Sequence, residues 1–359
     1  MANIVRSRFS HVPGAVPQKA PVTRTVVAPK LGASFGSPTI SSVAPPLSDL
    51  AGKMPISVSG DHLTGVAEVR IGGTPCTDFT VVHAKLITCT SPAKSSGTYD
   101  VTLHDASGAT LATLAASFVV GALSLYLNPT RPETCWQDVA GVTPAVSKMP
   151  VERVDDLSGH QNHIEKAGAS ILYSNNFFGC LQTTGPQDTL LSKSNVHWAA
   201  WTTIAFVANL SPTPQILAPG AALFGAAEDS GAGALVGRYD QMQTEPFIGV
   251  ADVGFSNVSL KHASAPCLYD SLHHVLAWRY NGTNASATLA IDGANIALTD
   301  VDSANPGTLP DDRFAIGEPA TGANTEFPYS LGIVVRFDEV LTAAQEAIIR
   351  AFVNTSHGV

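Results

Sequence analysis

The stretch from Pro38 to Val120 repeats one pattern, in which short runs of alternating apolar and polar residues are separated by turns every eight to twelve residues. Alternation with a period of two predicts β-strands that bury one face. The composition agrees, because 30 Gly and 24 Pro supply many turns and only 14% of the residues are charged. This part of the chain is therefore expected to form a small β-sandwich. The predicted strands are 39–43, 54–60, 68–71, 85–90, 97–104 and 116–120.

Five motifs in this stretch follow one another in the order of a known domain signature. They are PTISSVAPP (38–46), ISVSGDHL (56–63), VRIGGTPC (69–76), LITCTSP (86–92) and GTYDVTL (97–103). The stretch resembles the IPT/TIG immunoglobulin-like domain. The resemblance implies a domain over residues 37–120 with a role as a spacer or in interactions, not in a reaction. Gly60, Gly72 and Gly73 are expected where strands turn and a positive φ is needed.

The remaining residues, 121–359, contain the motifs of a second all-β unit. These motifs are LSLYLNP (123–129), VDDLSGHQN (154–162), HHVLAWRYNG (273–282), AIDGA (290–294), FAIG (314–317) and GIVVRFDEVLT (332–342). They resemble the concanavalin A-like, laminin-G-like jelly rolls, although Leu272 stands where that family has Trp before the His pair. The predicted fold class is thus all-β, with an extended N-terminal arm, an immunoglobulin-like β-sandwich and a lectin-like jelly roll.

The one strong helix signal lies at the C-terminal end. Thr342 and Gln345 have the spacing of a capping box, and the apolar residues Ile348, Ile349 and Phe352 follow at helical spacing. The pattern predicts a helix that packs against a sheet and closes the jelly roll.

Residues 1–36 are expected to form an extended arm and not a secretory signal, because basic residues and prolines interrupt every apolar run. The first 17 residues, MANIVRSRFSHVPGAVP, resemble the N-terminal attachment sequence of tailed-bacteriophage fibre and appendage proteins. The resemblance implies that the arm attaches the chain to a virion assembled in the host cytoplasm. Its candidate attachment residues are Ile4, Val5, Arg6, Arg8, Phe9, Pro13, Val16 and Pro17.

The charge is distributed unevenly along the chain. Residues 1–48 hold five basic residues and no acidic one, so they carry +5 of a net charge of −9 and the remainder carries −14. A basic, Pro-rich tail can dock on acidic protein surfaces or on nucleic acid, or it can stay solvated. Other virion proteins are the expected partners, and nucleic acid is not.

The five cysteines show no CxxC spacing, which argues against a zinc site. Most are expected to be buried thiols. Cys76 and Cys89 flank one hairpin, and the sequence leaves open whether they form a disulfide or two packed thiols. No apolar run approaches the ~18 residues that a membrane-spanning helix requires, so no membrane insertion is expected.

Glycoside cleavage on this jelly roll would need carboxylates arranged as E-x-D-x-x-E, and the sequence contains no such string. The nearest acidic cluster is Glu152, Asp155 and Asp156, but Arg153 lies within it and a turn follows it. We therefore expect that the chain is not an enzyme and that it binds no cofactor.

Two groups are candidates for ligand or metal contacts. Asp155, Asp156 and Asn162 are weak calcium candidates, with a hydrogen-bonded Asx turn as the alternative. His273 and His274 are adjacent on a predicted strand and point to opposite faces, so they do not share one ion. No other metal site is expected.

The candidate glycan-binding residues are Trp136 and the loop formed by Arg238, Tyr239 and Asp240, because turn residues surround them. The other three tryptophans are expected in the core. They are Trp198, Trp201 and Trp278.

These observations favour a bacteriophage virion structural protein, a head decoration or a tail fibre or appendage subunit, that displays a lectin-like domain for adhesion to host-surface polysaccharide. It is expected to be a homo-oligomer in the assembled particle. Two alternatives stay open, a scaffold that only packs between virion subunits and a glycan depolymerase.

Overall fold

The structure is a computed structural model, and it describes part of the chain. The described residues are 36–168, 171–175, 179–182, 189–208, 224–226, 233–239, 246–251, 257–262, 272–282, 288–296, 298–300, 311–317 and 330–359. The predicted attachment arm lies outside the described residues, apart from Gly36.

The first unit is the β-sandwich expected from the alternating pattern. Its strands are β1 (Thr39–Ala44), β2 (Leu47–Asp49), β3 (Pro55–Asp61), β4 (Glu68–Ile71), β5 (Thr74–Pro75), β6 (Thr77–His83), β7 (Leu86–Thr90), β8 (Gly97–His104) and β9 (Thr110–Gly121). One sheet has the order β1-β3-β7-β6 and the other has the order β2-β9-β8-β4-β5. Apolar side chains from both sheets, such as Ile56, Val69 and Val101, meet in one core.

The glycines of this sandwich serve two different needs. Gly72 and Gly73 have positive φ values of 52° and 78°, as predicted for the turn between β4 and β5. Gly60 does not have a positive φ, so the prediction that it is needed for a positive φ at a turn is wrong. A Cβ at Gly60 would overlap the carbonyl of Thr39 on the neighbouring strand β1, and only glycine allows the two backbones to lie this close.

The second unit is a larger all-β structure with a helix at its end, as predicted. Its strands are β10 (Leu123–Leu127), β11 (Cys135–Trp136), β12 (Pro150–Val151), β13 (Arg153–Val154), β14 (Ile164–Lys166), β15 (Ile171–Ser174), β16 (Cys180–Gln182), β17 (Thr189–Val196), β18 (Ala200–Ala208), β19 (Phe224–Ala226), β20 (Gly233–Tyr239), β21 (Pro246–Ala251), β22 (Asn257–His262), β23 (His273–Asn281), β24 (Thr288–Ile291), β25 (Ala294–Ile296), β26 (Leu298–Asp300), β27 (Asp312–Gly317) and β28 (Ser330–Phe337).

These strands form two large sheets. One has the order β12-β15-β16-β28-β18-β23-β24-β25, with β10 paired to β28. The other has the order β11-β13-β14-β17-β27-β19-β20-β21-β22-β26. Trp198, Trp201 and Trp278 are all buried in the core cluster that the two sheets share, which confirms that they are core residues.

The two sandwiches share a hydrophobic cluster. Leu47 and Met54 of the first unit pack in the same cluster as Leu123, Phe337 and Val353 of the second. Only Ala122 separates the end of β9 from the start of β10. Because apolar packing crosses the junction, the first sandwich is fixed to the second and is not a freely hinged spacer.

The C-terminal helix α1 (Ala343–Ser356) begins at the predicted capping box. Gln345 N donates to Thr342 Oγ1 (3.3 Å), and Thr342 N donates to Gln345 Oε1 (2.9 Å). Ile349 and Val353 are fully buried, and the partly buried Phe352 packs against the same cluster. The prediction that the helix closes the second unit is confirmed. Among the described residues, no helix has the length and apolar character that crossing a bilayer requires.

The four cysteines in the described part of the chain are buried free thiols: Cys76, Cys89, Cys135 and Cys180. The hydrogen bond that the Cys76 thiol donates to its neighbour Cys89, together with burial, raises the pKa of Cys76 well above its usual value. Of the two alternatives for this pair, the structure contains packed thiols. Cys267 lies outside the described residues.

Candidate functional site

The turn that follows β13 is built around the carboxylate of Asp156. This carboxylate accepts the backbone N–H groups of Tyr126 (3.0 Å), Ser158 (2.9 Å) and Asn162 (3.0 Å) and the hydroxyl of Ser158 (2.7 Å). Asn162 Oδ1 in turn accepts the N–H of Ser194 (2.7 Å). The Asx turn that the sequence offered as the alternative to calcium accounts for these contacts, and the network fixes Asn162 between two parts of the second unit.

Asp155, the neighbouring candidate, faces different partners. Its carboxylate lies 2.7 Å from Arg153 Nη2 and accepts the indole N–H of Trp136 at 2.8 Å. Trp136 is half-buried, and it pairs with Arg153 between β11 and β13. Among the described residues, no cluster of three or more His, Cys, Asp or Glu side chains has an arrangement that would hold a metal ion.

Burial and the nearby Arg153 lower the pKa of His163, which borders the same turn. Its Nδ1 accepts the backbone N–H of Asp156 at 3.1 Å, which requires that nitrogen to be unprotonated. His163 therefore supports the turn as a neutral side chain, and its contact with Asp155 is not an ion pair.

The other predicted glycan-binding residues are Arg238, Tyr239 and Asp240. Arg238 and Tyr239 are on strand β20, of which the structure describes the backbone, and Asp240 lies outside the described residues. Their assignment stays a prediction. His273 and His274 follow the predicted alternation, with His274 buried and its Nδ1 2.7 Å from Asp292 Oδ2.

A polar cleft of about 360 Å³ opens where the two sandwiches meet. A volume of this size suits a small-molecule ligand. Its lining combines carboxylates, amides, hydroxyls and one imidazole with a short apolar strip. The lining residues are Asp49, Leu50, Ala122, Leu123, Ser124, His160, Asn162, Ser194, Asn195 and Asp338.

The wall from the first sandwich is formed by Asp49 at the end of β2. Its Oδ2 accepts the N–H of Ala51 (3.0 Å), and its Oδ1 lies 3.6 Å from Nε2 of His160 in the opposite wall. Asp49 also pairs with Gly121 in the parallel ladder between β2 and β9. Because two backbone contacts hold it, Asp49 presents its carboxylate from a fixed position.

The wall from the second sandwich includes Asp338, directly after β28. Its Oδ1 accepts the hydroxyl of Ser124 (2.8 Å), and its Oδ2 accepts the N–H of His197 (3.3 Å). The guanidinium of Arg336 lies behind it, with Nε 3.5 Å from Asp338 Oδ1.

Arg336 itself is fully buried in an aromatic cage. Its guanidinium carbon lies 4.1 Å from the ring centre of Trp198, 5.1 Å from that of Trp201 and 6.0 Å from that of Phe314. Burial lowers the pKa of Arg336 to about 10, and the carboxylates of Asp338 and Asp311 act in the opposite direction. The cage holds the cation beneath the cleft without exposing it to a ligand.

A second hollow of about 420 Å³ lies on the first sandwich. Arg70 Nη2, which lines it, lies 2.6 Å from Glu68 Oε2, and His104 Nε2 lies 2.9 Å from Thr102 Oγ1. The lining of this hollow comes from the first sandwich alone, whereas the cleft combines polar groups of both sandwiches and is the candidate site.

Of the predicted site residues with described side chains, only Asn162 lines the cleft. The sequence motifs did not single out Asp49, His160, Ser194, Asn195 or Asp338. His160 and Asp338 do lie in segments that carry the jelly-roll resemblance, and this is the signal that could have identified them.

Residues 38–119 match the family described as the IPT/TIG domain, which confirms the predicted domain in the first sandwich. No curated protein sequence matches the chain. Among solved structures, the chain is similar to Trypanosoma rangeli sialidase in complex with 2,3-difluorosialic acid, with 16% identity, a TM-score of 0.40 and coverage of 65% of this chain and 33% of that one.

The chain is also similar to the botulinum neurotoxin serotype D ligand-binding domain in complex with N-acetylneuraminic acid, with 12% identity, a TM-score of 0.44 and coverage of 64% and 50% of the two chains. The binding domain of paraclostridial mosquitocidal protein 1 is similar as well, with 11% identity, a TM-score of 0.44 and coverage of 64% of this chain and 52% of that one. The chain thus spans between a third and about half of the length of these three proteins.

Proposed function

We propose that this chain is a non-enzymatic carbohydrate-binding protein of a bacteriophage particle, and that the cleft between its two sandwiches binds the glycan. The observation that carries the proposal is the lining of that cleft. Carboxylate, amide, hydroxyl and imidazole groups line a volume of about 360 Å³ beside the apolar side chains of Leu50 and Ala122.

This lining suits the chemistry of a sugar. A pyranose ring has hydroxyls around its edge, which both donate and accept hydrogen bonds, and C–H groups on its faces, which pack on apolar surface. The carboxylates of Asp49 and Asp338 accept hydrogen bonds. The hydroxyls of Ser124 and Ser194 and the side-chain amide of Asn195 can each donate and accept them. The Asp156 network and the buried Arg336 support these walls from behind, which reduces the ordering cost of binding.

The acidic residues nearest to a catalytic arrangement have structural contacts, which supports the absence of an enzymatic role. Asp155 binds Arg153 and Trp136, Asp156 binds backbone N–H groups, and Glu152 Oε1 lies 3.1 Å from Lys166 Nζ. A glycosidase needs two carboxylates free to face one bond of the substrate. Incubation with polysaccharide should therefore release no reducing ends.

The particle assignment rests on the resemblance of residues 1–17 to phage attachment sequences. In this proposal the basic arm binds other virion proteins, the chain is assembled in the host cytoplasm as a homo-oligomer within the particle, and the cleft meets host-surface polysaccharide. Deleting residues 1–17 should abolish incorporation while both sandwiches stay folded. Particles that still carry the truncated chain would contradict the attachment role.

A glycan array probed with the labelled full-length chain tests the binding role. We expect binding to a restricted set of glycans, and His160→Ala should weaken it about fivefold or more, the effect of losing one hydrogen bond. His83→Ala is the matched control, because His83 is exposed on β6 of the first sandwich and does not line the cleft. Absence of binding to every glycan class would overturn the proposal.

A purely structural role is the second candidate, and one observation favours it. Four large apolar side chains are exposed in the loop between β11 and β12: Val139 (43%), Val142 (74%), Val146 (55%) and Met149 (41%). Such residues suit packing against a neighbouring subunit. Under this role, Val142→Asp would block assembly and the glycan array would stay negative.

A further inference from the structure

We propose that the cleft selects saccharides without an acidic group, that it prefers those with a free amine, and that Asp49 of the IPT/TIG domain contacts the ligand directly. This inference rests on the proposed function, because it specifies the ligand class of the same cleft. It also gives the IPT/TIG domain a part in recognition beyond spacing.

The charges of the lining support this selectivity. Asp49 and Asp338 are both carboxylates, and the described lining contains no Lys or Arg. His160 is the lining residue that can carry a positive charge, and its Nε2 lies 3.6 Å from Asp49 Oδ1. A ligand carboxylate in this cleft would meet two like charges in a partly desolvated space, whereas an ammonium group would gain an ion pair.

Arg336 is the nearest buried cation, and its geometry keeps its charge from an acidic ligand. The residue is fully buried, Nη1 donates to Thr203 Oγ1 (3.2 Å), and Nη2 donates to the carbonyl of His197. The ring centres of Trp198 and Trp201 lie 4.1 and 5.1 Å from its guanidinium carbon. Arg336 therefore acts through Asp338 as a positioning residue.

The composite nature of the site follows from how rigidly Asp49 is placed. Leu47, two residues before it, is fully buried in the cluster that the sandwiches share. The β2–β9 ladder fixes Asp49 opposite Gly121, directly before the junction. The carboxylate therefore lies 3.6 Å from His160 of the second sandwich, in a position that the junction defines.

Calorimetric titration of the full-length chain with three probes tests the inference. The probes are a glucosamine oligomer with free amines, the same oligomer fully N-acetylated, and a glucuronate-containing oligomer of equal length. We expect the amine form to bind about fivefold to tenfold more tightly than the acetylated form, the effect of one ion pair in a partly desolvated site. The acidic oligomer should bind most weakly.

Asp49→Asn should remove the preference for the amine and leave the acetylated oligomer within about twofold, because the amide keeps the hydrogen bond to Ala51 but not the charge. Asp61→Asn is the matched control, since Asp61 is an exposed carboxylate of the same domain paired with Lys85. Asp338→Asn, a second variant, removes the carboxylate of the opposite wall and should also reduce the preference for the amine.

The outcomes separate the two levels of the proposal. Tighter binding of the acidic oligomer, or an amine preference that survives Asp49→Asn, would overturn the inference while the carbohydrate-binding role stands. Failure of all three oligomers together with a negative glycan array would overturn the proposed function itself.

Discussion

Ser96 Oγ lies 2.9 and 3.0 Å from the two carboxylate oxygens of Glu339, and its hydroxyl donates to them across the junction of the two sandwiches. Oε1 of Glu339 also accepts the N–H of Ala122 at 2.9 Å, and the carbonyl of Glu339 accepts the hydroxyl of Thr202 at 3.0 Å. One residue thus connects the IPT/TIG domain, the single-residue connection and the second sandwich.

Glu339→Ala should weaken this junction. We expect the free energy of unfolding to fall by about 1–2 kcal/mol, because hydrogen bonds to a charged group are lost at a site that is only partly buried. Urea titration measures the change. Glu133→Ala is the control, since the exposed Glu133 pairs with Arg131 two residues away, and it should have an effect within about 0.5 kcal/mol. Equal effects of the two variants would show that the junction contact contributes nothing.

Gly121→Ala tests the same junction by steric means. A Cβ at Gly121 would overlap Glu339 Oε1 and lie 2.8 Å from the ring of Phe337. The expected cost is about 1–3 kcal/mol through forced movement of packed groups. Gly65→Ala is the control, because a Cβ there meets no heavy atom within 4 Å. A thermal melt that shifts equally for both variants would contradict the close packing described here.

The alternating pattern predicted most of the first sandwich because its strands bury one face. Strand β8 begins and ends where it was expected, at Gly97 and His104. Strand β6 (Thr77–His83) was missed, since it lies at the sheet edge with neither face well buried and therefore shows no periodicity. Strand β9 begins at Thr110, earlier than expected; its first half was missed because it is only partly buried and lacks the continuous apolar run Phe118–Val120 near its end.

The cleft was largely beyond prediction from the sequence. Its walls come from two domains, and no local pattern indicates that Asp49 faces His160. The shared cluster that sets this geometry unites Leu47 with Phe337, residues far apart in the chain whose apolar character alone fits any core. Asn162 was found because it belongs to a recognisable turn motif.

The C-terminal helix provides a third prediction. Ile349 is fully buried and Phe352 partly buried, with its ring 6.3 Å from that of Tyr126. Ile349→Ala should cost about 2–5 kcal/mol, Phe352→Ala less than the 3–5 kcal/mol of a fully buried ring, and Thr342→Ala about 1 kcal/mol. Thermal unfolding of the three variants measures the order of these losses in stability. If Thr342→Ala were the most damaging variant, the helix would not be docked on the core.

The buried thiols of Cys135 and Cys180 predict a loss of stability at alkaline pH. Burial raises the pKa of each thiol to about 12 from an ordinary value of 9.0. The folded chain therefore keeps protons that the unfolded chain releases above pH 9.0. The stabilisation is complete below that pH and falls as the pH rises toward 12, by at most about 1.4 kcal/mol per pH unit for each thiol.

Cys180→Ala isolates one of these contributions. The variant is less stable than the wild type at neutral pH, because it loses buried volume, but its free energy of unfolding should fall less steeply between pH 9 and 10.5. Ile171→Val is the matched control, because it also removes volume from a fully buried site without removing an ionisable group. It should lower stability equally at every pH and leave the slope unchanged. A slope for Cys180→Ala equal to that of Ile171→Val would mean that the thiol is deprotonated as readily in the folded chain as in the unfolded one, which its complete burial opposes.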